Sequence, residues 1–87
     1  MNFINGQEMN KQNPDTFHIP SQEELDTLKE GVFIKVGHNA ERFWAEITSI
    51  EDSGSIYARV DNDLLNEHPF KCDDKILVEN KHILDIL

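Results

Sequence analysis

The stretch Arg42-Phe43-Trp44-Ala45-Glu46-Ile47 constrains the fold more than any other part of the chain. Successive side chains of a β-strand point to opposite faces, so Phe43, Ala45 and Ile47 share one face while Arg42, Trp44 and Glu46 share the other. One face builds a core. The other carries the only tryptophan between two charges. The same alternation recurs in Val32, Ile34 and Val36 and in Ile56, Ala58 and Val60, which predicts a sheet rather than a helical bundle.

The chain divides into three parts. Residues 1–14 are rich in Asn and Gln, their apolar residues Phe3, Ile4 and Met9 follow no period, and the composition predicts a tail without fixed structure. Residues 15–31 read as an extended piece, Phe17-His18-Ile19-Pro20, followed by a short helix. Ser21-Gln22-Glu23-Glu24 has the capping-box spacing, and the helix is expected to bury Leu25 and Leu28 and to stop at Gly31. Residues 32–87 hold five predicted strands. Turns fall at Gly37-His38-Asn39-Ala40, Asp52-Ser53-Gly54 and Asp61-Asn62-Asp63, strand four runs from Lys75 to Glu79, and Asn80-Lys81-His82 forms one helical turn before strand five, Ile83 to Leu87. This layout, mainly β with minor α, predicts a small five-stranded SH3-like barrel with one short N-terminal helix packed on it.

At 87 residues the chain is one domain with a modest core and no room for a large cavity. Seventeen acidic against eight basic residues, a net charge of −9, argue against a phosphate-binding surface and favour a basic partner. The excess is evenly spread, as ordinary solubility produces. Cys72 is the single cysteine, so the fold needs no disulfide and a cytoplasmic location is expected. Neither a signal peptide nor eighteen consecutive apolar residues are present, which predicts no membrane insertion.

Trp44 and Tyr57 share the outer face if the second hairpin pairs as its turn suggests, with Arg42, Glu46 and Arg59 around them. Aromatic residues ringed by charge are anchors of protein contact surfaces. Alternatively, Phe17, Ile19, Leu25 and Leu28 cover Phe33, Trp44, Tyr57 and Leu77 as a second small core, leaving one edge of Trp44 exposed. The acids Asp61, Asp63, Glu67, Asp73 and Asp74 lie on connections that a barrel brings to one end, either as solvated turns or as a surface for a basic protein. Asp61-Asn62-Asp63-Leu64-Leu65-Asn66-Glu67 lacks the glycine of a calcium loop. His68 and Cys72 have no second thiol or zinc motif to join, and Cys72 reads as an inert thiol. No metal, cofactor, phosphate loop, nucleophile elbow or catalytic residue is expected, and the chain reads as no enzyme.

Gly31 to Ile86 resembles a family of small bacterial proteins of unknown function of the YegJ-like type. The resemblance rests on Gly31-Val32-Phe33-Ile34-Lys35-Val36, Glu41-Arg42-Phe43-Trp44-Ala45-Glu46-Ile47, Val60-Asp61-Asn62-Asp63, Asp74-Lys75-Ile76-Leu77-Val78 and His82-Ile83. The family has a glycine where Cys72 or Asp73 stands here. The resemblance implies a bacterial or mobile-element origin, a compact β-rich fold, a setting near accessory and toxin-immunity genes, and no catalytic residues to carry over. The expected function is an acidic protein-binding module, immunity-type or inhibitory, acting by contact with a basic partner through Trp44, Tyr57 and the acidic loops. The alternatives are a small-ligand binding domain or an acidic mimic of nucleic acid. It is expected as a monomer or weak dimer that does not itself bind nucleic acid.

Overall fold

The alternating pattern from Val32 onward forms one antiparallel sheet in the computed structural model, which describes residues 2–87. The elements are helix α1 (Gly6–Gln12), helix α2 (Gln22–Leu25), strands β1 (Phe33–His38), β2 (Glu41–Ile50), β3 (Ile56–Val60) and β4 (Lys75–Val78), a 3-10 turn (Asn80–His82) and strand β5 (Asp85–Ile86). The fold is mainly β. Strand order is β4-β3-β2-β1-β5, so consecutive strands pair and the last returns beside the first. The two edges, β4 and β5, do not pair with each other, and the sheet is therefore open rather than a closed barrel. β5 contributes only Asp85 and Ile86 to its ladder with β1.

Register follows the apolar period. Val36 lies opposite Phe43 and Ile34 opposite Ala45, which stacks the core-facing residues of β1 and β2 against each other. Their turn is Asn39-Ala40, with φ of 48° and 61°; two positive φ values give the twist that a two-residue hairpin favours. The β2–β3 ladder slips between Ile47 and Ser49, a bulge that shifts the register beyond Thr48. Ile34, Val36, Ala45, Ala58 and Val60 have no exposed surface, and Phe43 is 2% exposed. Each fully buried Val, Ile or Phe contributes roughly 1.5–3 kcal/mol, so this inner face dominates the stability of the domain.

The expected unstructured tail is corrected. Asn5 caps α1 by accepting from the Glu8 amide at 3.0 Å, the Ile4 amide donates to the Gly37 carbonyl at 2.8 Å, and Phe3 is 8% exposed within the core. A cap, a backbone bond and one buried ring outweigh the polar composition of the segment. Met1 lies outside the described residues.

The α2 capping box forms as predicted, with Ser21 Oγ accepting from the Glu24 amide and Glu24 Oε1 from the Ser21 amide. The helix stops at Leu25, well before Gly31. Thr27 ends it: both its amide and its hydroxyl donate to the Glu24 carbonyl, at 3.1 and 2.7 Å, which tightens the chain out of the α spacing.

The expected second small core over Trp44 and Tyr57 is not formed by Leu25 and Leu28: Leu25 joins the one main cluster, with Leu28 packed against it. Gly37 points outward from β1, and a Cβ there would meet Ile4 Cδ1 at 2.5 Å. A Cβ on Gly6 would meet Leu84 Cδ2 at 2.8 Å and Ile19 Cγ2 at 3.2 Å. These two bare backbone positions let the N-terminal segment and Leu84 close over the end of β1.

Candidate functional site

Alternation places Arg42, Trp44 and Glu46 of β2, Tyr57 and Arg59 of β3, and Lys75 and Leu77 of β4 on the outer face. Glu46 lies opposite Arg59 and Tyr57 opposite Leu77, so strand pairing alone brings these groups together. Arg59 is the hub. Its Nη2 meets Glu46 Oε1 at 2.9 Å and Asp61 Oδ1 at 3.3 Å, and its Nη1 meets Asp73 Oδ1 at 2.7 Å. Hydrogen bonding to Glu46 and then Asp73 pushes the guanidinium pKa further up. Three carboxylates on one cation leave a local excess of negative charge. The Arg59 and Glu46 side chains are about one-third exposed and that of Asp73 is 76% exposed, so solvent screens these pairs and they arrange the surface more than they hold the fold.

The aromatic residues beside this hub carry cations on their faces. Lys35 Nζ lies 5.1 Å from the centre of the Trp44 ring, Lys75 Nζ lies 5.6 Å from that of Tyr57, and Arg42 Cζ lies 5.3 Å from that of Phe17. Trp44 and Tyr57 are half-buried, and Leu77 is 50% exposed. The Glu51 carboxylate, by hydrogen bonding and by charge, raises the Tyr57 phenol. The Trp44 backbone is clamped on both sides: its amide donates to Asn62 Oδ1, and its carbonyl accepts from the Asp61 amide at 2.9 Å.

The five acids of the connections do not form one cluster. Asp61 and Asp73 belong to the Arg59 network. Asp74 accepts from the Lys71 amide at 3.0 Å and closes the turn before β4. In that turn Asp73 takes a φ of 74°, the left-handed region a glycine enters without cost. Asp63 and Glu67 line a separate shallow cavity of about 600 Å³ with His68, Phe70 and Cys72. Desolvation first, then the charges of Asp73, Asp63 and Asp61, raise the Cys72 thiol, which disfavours the reactive thiolate.

Sequence reasoning missed a part-buried polar chain. His68 Nε2 lies 2.7 Å from Glu41 Oε1, and His68 Nδ1 lies 2.7 Å from His38 Nδ1. Only one proton fits between two ring nitrogens at that distance, whichever ring carries it. Glu41 also accepts from the amides of Leu65 and Asn66, both at 2.8 Å. The His68 bond and then these two amides bring its pKa down to about 2 from 4.5. The rings of Phe3, Phe43 and Phe70 pack around the two imidazoles, with Phe70 stacked on His68 at 5.0 Å. The His68 side chain has no exposed surface, so the chain resembles a proton relay but offers no substrate access at its centre; it ties the 61–70 connection to the β1–β2 hairpin. The findable signal was His38 and Glu41 flanking the two turn residues, which hairpin pairing sets opposite each other.

No family model, curated protein or solved structure matches this chain. Function therefore rests on the geometry. Among the described residues, no three His, Cys, Asp or Glu side chains converge where a metal ion could be held, and no helix is long and apolar enough to cross a membrane.

Proposed function

We propose that the chain is a protein-binding module that engages a basic partner through the outer face of β2, β3 and β4. One observation carries this reading: Tyr57 and the half-exposed Leu77 form an apolar pair directly beside three carboxylates that a single arginine holds in place. An apolar anchor with a charged rim is the usual anatomy of a contact surface. Trp44 extends the patch on one side. Asp74, in the turn before β4, supplies further negative charge at its periphery, where steering of a basic partner is effective, while Asp63 and Glu67, on the separate cavity, add only to the overall field. The resemblance to the YegJ-like type adds a bacterial or mobile-element setting and an immunity-type or inhibitory role.

The experiment is affinity capture from the native host with the wild-type chain, a Trp44→Ala/Tyr57→Ala variant and a Leu65→Ala control, Leu65 being 92% exposed and remote in role. A basic protein retained by wild type and control but lost with the double variant supports the reading. Capture that survives the double variant, or an acidic captured partner, refutes it.

A further inference from the structure

The 16–20 segment stands against the outer face of β1 and β2 and forms one wall of an open-sided cavity of about 430 Å³. Its wall is held in place. Asn10 Nδ2 donates to the Phe17 carbonyl at 2.6 Å, the Phe17 amide donates to the Asn13 carbonyl at 2.9 Å, and Pro20 is buried. Phe17, Ile19 and Leu84 give the cavity an apolar side, and Lys35 and Arg42 both line it. The volume lies within the range of small-molecule pockets.

Lys35 and Arg42 are placed there by aromatic rings instead of by acids. In a chain with seventeen acidic residues, neither has a carboxylate within 4.0 Å, and neither side chain donates a hydrogen bond, among the described residues. A cation resting on a ring face keeps its N–H donors. The two acids at the rim keep their charge, with Asp85 opposite Lys35 in the β1–β5 ladder; each commits one oxygen to a backbone amide, Glu24 Oε1 to that of Ser21 at 3.1 Å and Asp85 Oδ1 to that of Ile86 at 2.8 Å, and neither pairs with the two cations. Arg59, by contrast, spends its donors on three carboxylates. The net charge of −9 opposes an anion at long range, but salt screens it over about 8 Å, leaving contact partners to decide.

We propose that this cavity binds a small organic anion, a carboxylate or phosphate on a flat apolar body, with Lys35 and Arg42 holding the anionic group and Phe17, Ile19 and Leu84 receiving the body. The site is distinct from the Tyr57–Leu77 surface and goes beyond the protein-contact function. Titration of the ¹⁵N-labelled chain with benzoate, phenyl phosphate and neutral benzamide tests it by NMR. Saturable shifts confined to the amides around residues 16–20, 35 and 42 are expected with the two anions and not with benzamide; the tighter anion identifies carboxylate or phosphate as the preferred group. Lys35→Gln and Arg42→Gln should each weaken binding by about tenfold, the size of one charged contact, with an unchanged spectrum elsewhere, whereas Arg42→Lys should retain part of it. Non-saturating shifts, equal response to benzamide, or undiminished binding in both Gln variants would overturn the proposal.

Discussion

His38 and Glu41 show how a single turn can make a sheet end sensitive to protons. His38 is held below its ordinary 6.5 by burial and then by the charge of His68, and His82 is held below 6.5 chiefly by burial. For a base with a lowered native pKa, the unfolded chain takes up the proton first, so stability falls as pH drops through about 6.5. Glu41 adds a second stage: its contribution is present above 4.5 and is lost as pH falls toward about 2. Thermal midpoints measured from about pH 8 to about pH 3 should decline in these two windows, and Glu41→Gln should remove the lower one. A midpoint that rises on acidification would contradict the sign. Side chains also divide by what they hold: Phe43→Ala should cost ~3–5 kcal/mol, while Arg59→Ala should leave the urea midpoint nearly unchanged, a contrast that urea unfolding can resolve.

Among the elements, the first four strands were legible because a period of two survives in their windows, as in Ile34 and Val36 or Ile56, Ala58 and Val60, whereas strand five, expected from Ile83 to Leu87, is only Asp85–Ile86, since the adjacent Ile83 and Leu84 are both buried. Helix α1 was not, because its Asn and Gln content matches that of unstructured tails; the spacing of Asn5 and Glu8 was the one local sign of a cap. The length of α2 was misjudged because Gly31 draws attention as a stop while Thr27 ends the helix earlier. Of the candidate site, strand pairing made the Glu46–Arg59 contact readable, whereas Asp73 and His68 reach their partners through a connection whose path no periodicity reveals. If α1 is an integral element, Asn5→Ala should lower stability by about 1 kcal/mol, and the Met9 and Asn13 amides should exchange more slowly than unstructured peptide. Random-coil exchange at both positions would contradict this placement.

At the scale of the whole molecule, the charge distribution predicts that partner association depends on ionic strength. Raising salt from about 50 to about 500 mM should slow association more than it speeds dissociation, because long-range steering is what screening removes; equal association rates across that range would argue for a purely apolar contact. The dovetail of Ile4 over Gly37 has a consequence for how such a chain can change over generations. A methyl at position 37 claims the space of Ile4 Cδ1, so these two sites, far apart in sequence, cannot drift independently. Gly37→Ala should be destabilising alone and largely tolerated beside Ile4→Val, which deletes the obstructing methyl. A double-mutant cycle should give a coupling of ~0.5 kcal/mol or more. Variants of this chain should therefore pair a bare residue 37 with a long residue 4, or a small side chain with a shorter one, so that the N-terminal segment and the sheet carry a shared mutational history.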